Sequence, residues 1–401
     1  MQPPGRAASA QTFRSKASAM LESQRSKFAL PAEVSYLDAA YMSPIPLKAM
    51  EAGQRGTAVK AAPWKMSIAS YYDDVEEART LAAATIGARP DDIAVVAATS
   101  YGLAVAAKNV PVPEGSAIVM MDNEHPSHRY VWHELAESRN AVVRTIPRPA
   151  DGNWTPAIVA AIQDSNRPVA VVAGTLLHWF EGTAVDIDAV AGAAREAGAS
   201  LVMDGTQWVG ALPFDVTRIQ PDFLSFATYK FLLGPYRLAF LYAGERWQQE
   251  GRPLEHHAWH RYNGDRSDFY VEKVPAFAPG ARRFDMGERS DFAVLPVAVE
   301  ALKLIRDLGI PSIFERLSFL NDLVWSEAIR HGLVREIEPL RVPHISILDM
   351  EARLPEDIGA KLKAENIHVT LRGTKVRVSP HVYNDEDDIR RLFAVLAAHA
   401  R

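Results

Sequence analysis

FLSFATYKFLLGPYR, residues 223–237, is the stretch from which the fold is read. It opens as a continuous apolar strand ending at Ala227, delivers Tyr229 and Lys230, and closes on the turn pair Gly234-Pro235. Just upstream, VMDGTQWVG (202–210) reads as a second apolar strand with Asp204 and Gln207 at its carboxyl end. An acid, an amide and a lysine at the mouths of neighbouring strands predict a ligand pocket at that edge of a sheet.

Working outward, similar short apolar runs recur: IAVVAA (93–98), AIVMMD (117–122), VVRTI (142–146), VAVVAG (169–174) and LAFLYA (238–243). Segments with helical spacing lie between them, at 75–87, from Thr99 onward, at 155–163 and at 188–197. Strands that are apolar throughout, rather than alternating, belong to a mostly parallel sheet covered by helices on both faces. The expected class is therefore α/β, with a seven-stranded, mostly parallel sheet between helices. The ligand site then sits beyond the carboxyl ends of the strands, a rim that gathers Thr99, His125, Asp204 and Lys230. After about residue 285 two long helices are followed by strands at 344–348, 367–371 and 374–379 and a closing helix at 385–399, the pattern of a smaller α/β domain. The expected division is an N-terminal arm packing with the small domain (1–45), a large domain (46–285) and a small one (286–401). The stretch 244–284 lacks periodicity and reads as an excursion between them.

Composition narrows the function. A net charge of −5 gives no basic face for nucleic acid, and no apolar run approaches the ~20 residues of a membrane span. The 401 residues contain no cysteine, so thiol nucleophiles and thiolate metal sites are absent. The N-terminus is basic and lacks the apolar core of a secretory signal; an arm leading into a short helix near 11–27 and a cytoplasmic location are expected. His256, His257 and His260 have no acidic partner nearby except Glu255, and HELAE (133–137) lacks the second histidine of a zinc-protease helix, so no metal site is expected. No GxGxxG joins a strand to a helix, which removes a nicotinamide fingerprint.

The rim residues have specific chemistry to offer. Lysine is seldom buried without a partner. Desolvation lowers its pKa and frees the amine to form a Schiff base with an aldehyde; the plainer alternative is a lysine whose head reaches water. Asp204 either caps the next turn or holds the protonated nitrogen of a pyridine cofactor. Thr99 and Ser100 offer hydroxyls and backbone N–H groups at a helix start, suited to a phosphate or simply to capping. His125, in DNEHPSHRYVW, is either a surface residue or an imidazole that stacks on a ring or moves protons.

Taken in order, these segments resemble the fold-type I pyridoxal-phosphate (PLP) enzymes of the class V aminotransferase superfamily, over residues 34 to 398. AATSYG is similar to the phosphate-binding turn and NEHPSHRYVW to the segment whose histidine stacks on the ring. VMDGTQWVGALPFDV is similar to the segment of the ring-nitrogen acid and the amide beside the ring oxygen. ATYKFLLGP resembles the Schiff-base lysine segment and KVRVSPHVYND the segment of a substrate-binding arginine. The resemblance implies PLP as cofactor, with Lys230, His125 and Asp204 as catalytic residues. It implies Thr99, Ser100, Gln207, Thr228, Tyr229 and Ser290 as further cofactor contacts, and Arg377, Ala39 and Trp179 as substrate contacts. VSYLDAAYMSPIP, which contains Ala39, resembles the substrate-side segment. A homodimer with a shared site is implied, because in the family a residue after the glycine of the Arg-Phe-acid-x-Gly segment reaches the neighbouring subunit's phosphate; here Glu288 follows Gly287, leaving Arg289 or Ser290 for that role.

Departures from the family shape the expected activity. Ala227-Thr228-Tyr229 replaces the Ser-Gly-His common before the lysine in desulfurases, and Trp179 stands where many members have asparagine. With no cysteine to carry a persulfide, the expectation is a PLP enzyme acting at the α-carbon of an amino acid, transamination favoured, and not a persulfide-forming cysteine desulfurase. A β-elimination or C–S lyase, an epimerase, and a non-catalytic PLP-fold protein are the alternatives.

Overall fold

The computed structural model describes residues 20–261, 274–350 and 353–400. Its central sheet holds seven strands: β1 (Ile93–Val96), β2 (Ala117–Met121), β3 (Val142–Ile146), β4 (Val169–Thr175), β5 (Ser200–Asp204), β6 (Phe223–Ala227) and β7 (Ala239–Ala243). Their spatial order is β1-β7-β6-β5-β4-β2-β3. All neighbours pair in parallel except β7, which runs against both β1 and β6. A parallel return needs a long crossover; residues 228–238, between β6 and β7, contain no helix, so the chain doubles back.

Strand residues alternate between two apolar layers. Ile93 and Val95 face one layer, Ala94 and Val96 the other; Leu224 and Phe226 oppose Phe223 and Ala227. One layer is covered by α2 (Asp73–Thr85), α5 (Trp154–Gln163) and α6 (Ile187–Glu196), the other by α3 (Thr99–Asn109) and α4 (Pro126–Ser138). This two-sided burial is why the strands read as unbroken apolar runs. β3 is the exception, an edge strand with Val142 exposed.

The segment after His125, not among the helices read from the sequence, is the helix α4. Its polar sequence PSHRYVWHELAES hides the helical period, yet Pro126 stands in the first turn, where a missing N–H costs nothing. A helix near the N-terminus, α1 (Leu47–Val59), packs with α2 against α7 (Val294–Leu308). Then α8 (Ile310–Arg330) leads into a three-stranded antiparallel sheet of β8 (Ser346–Asp349), β9 (Thr370–Arg372) and β10 (Lys375–Val378), order β8-β10-β9. With α9 (Ile358–Ala364) and α10 (Glu386–His399) it has its own apolar cluster. Asp385 caps α10, accepting from the N–H groups of Asp387 and Asp388. The N-terminal segment joins this part of the molecule: Ser35–Tyr36 pairs with Ile367–His368, and Asp38 bridges to Ser379. Of the short helix expected near 11–27, residues 11–19 lie outside the described residues; 20–24 are not helical, and Arg25–Lys27 form a single turn. Residues 262–273 of the excursion lie outside them. Among the described residues no helix is long and apolar enough to cross a membrane.

Candidate active site

β1, β2, β4, β5 and β6 point the same way, so their carboxyl ends share one rim. A cavity of about 460 Å³ opens there, lined by Thr99 and Ser100 after β1, His125 after β2, Thr175 and Trp179 at and after β4, Asp204 and Gln207 at and after β5, and Tyr229 and Lys230 after β6. Eight of the predicted site residues therefore come together.

The lysine is presented by a tight turn. The Thr228 hydroxyl, expected as a phosphate contact, instead donates within that turn to the carbonyls of Pro235 (2.7 Å) and Leu238 (3.0 Å). Gly234 lies so close that a Cβ there would fall 2.6 Å from Thr228 Cβ, which is why the turn carries glycine. Tyr229 stacks edge-on against Tyr236 at 4.9 Å, and its carbonyl accepts from Ser43 N–H (2.9 Å). Lys230 projects into the cavity above the Tyr229 ring, 5.6 Å from its centroid. Burial pushes the Lys230 amine down to about 8; Asp204 opposes that shift, and Arg377 and Arg372 add to it.

Asp204 accepts from Thr206 N–H (2.8 Å), and Thr206 Oγ1 meets Thr99 Oγ1 at 2.9 Å, tying the β5 end to the start of α3. α3 can come this close to the sheet because residue 102 is glycine: a Cβ there would lie 2.3 Å from Ser225 Oγ. Gln207 donates through Nε2 to Ala40 O (3.0 Å) and leaves Oε1 buried without a hydrogen-bond partner. Ala39, beside it, is itself buried, with its N–H on Ser379 O (2.9 Å). A second carboxyl, Glu124, lies under the rim. It is 3% exposed, accepts from Thr175 Oγ1 (3.2 Å), and is pushed up to about 8, by burial first and Asp204 second. His125 is lowered, by burial with Asp204 opposing. Sequence reasoning missed Glu124, although it directly precedes His125 at the end of a strand.

The other end of the site is built by the small sheet. Arg377 is 3% exposed; its Nη2 donates to Asp38 Oδ1 (3.1 Å) and Thr370 Oγ1 (2.9 Å), and its Nε is buried without an acceptor. Asp38 also accepts from Thr370 Oγ1 (2.7 Å). Arg372, not singled out in the sequence, lies with its guanidinium 4.4 Å from the Trp179 ring centroid. Trp179 is fixed in turn by donating to Asn123 O (2.7 Å) and stands edge-on to His125 at 5.3 Å.

Of the predicted site residues, Thr228, Ala39, Arg377 and Ser290 are not among those lining this cavity. Ser290 donates to Tyr71 O (2.7 Å) and lines a second cavity of about 630 Å³, which Arg237 connects to the first. Arg289 is buried against Asp285 (3.1 Å), which also receives Arg79 (2.9 Å) and Val95 N–H (2.8 Å).

These residues fit pyridoxal phosphate. Its aldehyde, ring nitrogen and phosphate find a desolvated amine, a carboxylate and the unpaired N–H groups of a helix start, and the orphaned Gln207 oxygen stands in the same wall. Fold and pocket define the class of PLP-dependent enzymes. Within it, the chain belongs to the aminotransferase class-V family, whose model matches residues 35–392. The chain is 27% identical over 339 residues to the uncharacterized aminotransferase YcbU of Bacillus subtilis, covering 84% of this chain and 86% of that protein. It is 25% identical over 319 residues to a probable cysteine desulfurase of Staphylococcus epidermidis, covering 75% and 73%. Its fold superposes on the apo structure of a cysteine desulfurase from Thermococcus onnurineus with a TM-score of 0.81 at 20% identity, over 93% of this chain and 96% of that one.

These relatives correct the expected function. The absence of cysteine pointed away from the desulfurases and toward transamination; the curated and structural relatives include proteins named cysteine desulfurases. The physical reason is that cysteine content tells where a sulfur atom can rest after it leaves. It does not tell which bond the pocket breaks.

Proposed function

We propose that this chain is a PLP-dependent enzyme of the desulfurase kind, acting on a sulfur-containing amino acid and breaking its carbon–sulfur bond. One observation carries the reading: a lysine with its amine pushed down to about 8, at the mouth of a buried strand, in a cavity that also holds Asp204, His125 and the start of α3. The relatives named cysteine desulfurases support the choice of bond.

When bound, PLP supplies an electron sink for the pair left at the substrate's α-carbon. Lys230 would hold the aldehyde through its amine, which burial pushes down to about 8. The same Nζ would serve as the general base for the substrate's α-proton. Asp204 would hold the proton of the ring nitrogen, and His125, Tyr229 and Gln207, which line the same cavity, would hold the ring. Thr99 and Ser100 would hold the phosphate with their N–H and hydroxyl groups. Trp179 and the small-sheet arginines would hold the substrate's acid end. The sulfur acceptor comes from outside these 401 residues, which contain no cysteine. A homodimer belongs to this reading: Ser290 lines the second cavity, where it can serve a neighbouring subunit's phosphate.

The test is optical and chemical. The purified, PLP-loaded protein is expected to absorb at about 410–430 nm and to release sulfur together with a three-carbon product from cysteine or cystine. Lys230→Ala is expected to lose both the band and the product. A variant that keeps the band overturns the lysine assignment; an intact band with no sulfur released overturns the choice of bond.

A further inference from the structure

The turn that presents Lys230 is held from outside the large domain. Each of its four consecutive carbonyls has a donor. Thr228 O accepts from Gly234 N–H (2.8 Å) and Lys230 O from Leu233 N–H (3.0 Å), both within the turn. Tyr229 O accepts from Ser43 N–H (2.9 Å), in the N-terminal segment, and Phe231 O from His381 Nε2 (3.1 Å), just past the end of β10. The two carbonyls that flank the lysine therefore find their donors in other parts of the fold. The turn after β5 is held in the same way: His344, just before β8, donates from Nε2 to Gln207 O (2.6 Å).

The two histidines work as one clasp. The Phe231 ring lies between them, edge-on to His344 at 4.9 Å and stacked on His381 at 5.7 Å, and all three side chains are fully buried. Gly210, at φ +96°, lets the two turns meet, since a Cβ there would fall 2.5 Å from Phe231 O. Both imidazoles are neutral donors. His381 Nδ1 accepts from Val382 N–H (2.7 Å), which leaves the ring proton on Nε2. His344 Nδ1 is buried and has no hydrogen-bond partner among the described residues, so a second ring proton would have no acceptor. Burial accordingly pushes His381 down to about 4 and His344 down to about 3.

We propose that His381 and His344 are positioning residues that fasten the two cofactor-bearing turns to the small domain, so that the seating of Lys230 depends on how that domain is docked. This rests on the reading of the pocket as a PLP site.

The experiment uses the cofactor-free protein and two forms of the cofactor. PLP condenses with Lys230 through its aldehyde, losing water; pyridoxamine 5′-phosphate has the same ring and phosphate but an amine in that place, so it does not. Equilibrium dialysis measures the affinity for each form in wild type, His381→Phe, His381→Gln and His344→Phe. Phenylalanine keeps the stack and removes the donor, whereas glutamine puts an N–H back at the reach of Nε2. Without that donor Phe231 O is a buried carbonyl with no partner, and the turn moves to satisfy it, taking Lys230 along. His381→Phe is expected to weaken PLP by about 10-fold and pyridoxamine phosphate by less than about 3-fold, with His381→Gln recovering most of the loss. His344→Phe loosens the wall beside Gln207 rather than the lysine and is expected to weaken both forms by the same factor. Equal losses for the two forms in His381→Phe, or an unchanged PLP affinity, overturn the proposal, because a residue that only stabilises the fold acts on both alike. A His381→Gln variant no better than His381→Phe overturns it too, as does a PLP-selective loss in His344→Phe alone. If His381→Phe does not melt cooperatively, His381→Met makes the same comparison without a ring. A wild-type protein that binds neither form overturns the PLP reading itself, and the proposal falls with it.

Discussion

The two ends of the pocket are built in opposite ways. At the cofactor end, Asp204 and Lys230 are delivered by β5 and β6, strands packed on both faces, and each functional group sits at or within three residues of its strand's last position. At the substrate end, Asp38, Arg372, Arg377 and Trp179 come from the N-terminal segment, a small antiparallel sheet and a loop, and they hold one another by an ion pair and a ring stack. The first end is positioned by the backbone and the second by side chains. Substitutions at the first therefore test chemistry, whereas at the second they test architecture as well.

The largest effect is expected where architecture and charge coincide. Among the described residues, Arg377→Ala leaves Asp38 buried with Thr370 as its remaining side-chain hydrogen-bond partner. Breaking a buried pair by removing one partner costs about 3–5 kcal/mol, and the threonine bonds place this site near the lower figure. Urea unfolding of the cofactor-free protein measures it. Replacing both partners together, Asp38→Asn with Arg377→Met, is expected to recover most of the loss. No recovery would mean that the pair is not what holds Arg377 in place.

At the cofactor end the matching experiment leaves the fold intact. Asp204→Asn keeps an acceptor for Thr206 N–H but removes the carboxylate proposed to hold the ring nitrogen's proton. Turnover is expected to fall by about 100-fold, with melting of the cofactor-free protein little changed. A large fall in stability with modest loss of turnover would show Asp204 to be a turn-capping residue.

The same contrast explains what could be read from the sequence. Phe223, Leu224 and Phe226 form an apolar run because both faces of β6 are covered, so the strand and the lysine that follows were legible locally. Arg372 was not, because its partner Trp179 is distant in sequence and no pattern around LRGTK signals a stack. Arg377 was singled out by resemblance, but its ion pair with Asp38 joins the N-terminal segment to β10, which only the fold shows. α4 was not legible as a helix because buried His128 and Trp132 are spaced among charged and hydroxyl residues. Thr228 was taken for a cofactor contact from the family resemblance; the return of the chain from β6 to β7 occupies its hydroxyl. The exclusion of desulfurases failed for a different reason, since composition describes a reaction's carrier and not the shape of its pocket.

The smallest expected effect concerns the second carboxyl of the cofactor end. Glu124 is raised to about 8 by burial and then by Asp204, with Thr175 and the His125 N–H pulling the other way. In the unfolded chain a glutamate titrates near 4.5. Between 4.5 and about 8 the folded chain therefore binds the extra proton, and this group's contribution to stability falls as pH rises through that window. Below it the contribution is fully present; above it the cost of a buried charge beside Asp204 is complete. Glu124→Gln replaces the protonated acid by a neutral amide of similar shape that does not titrate. Relative to wild type, the variant should be within about 0.5 kcal/mol at pH 5 and gain about 1–3 kcal/mol by pH 9, read by urea unfolding of the cofactor-free protein. A difference that does not change with pH would mean that Glu124 keeps one charge state throughout. The cofactor end would then hold two like charges side by side, and its backbone-set geometry would be under an electrostatic strain that the substrate end, with its paired Asp38 and Arg377, avoids.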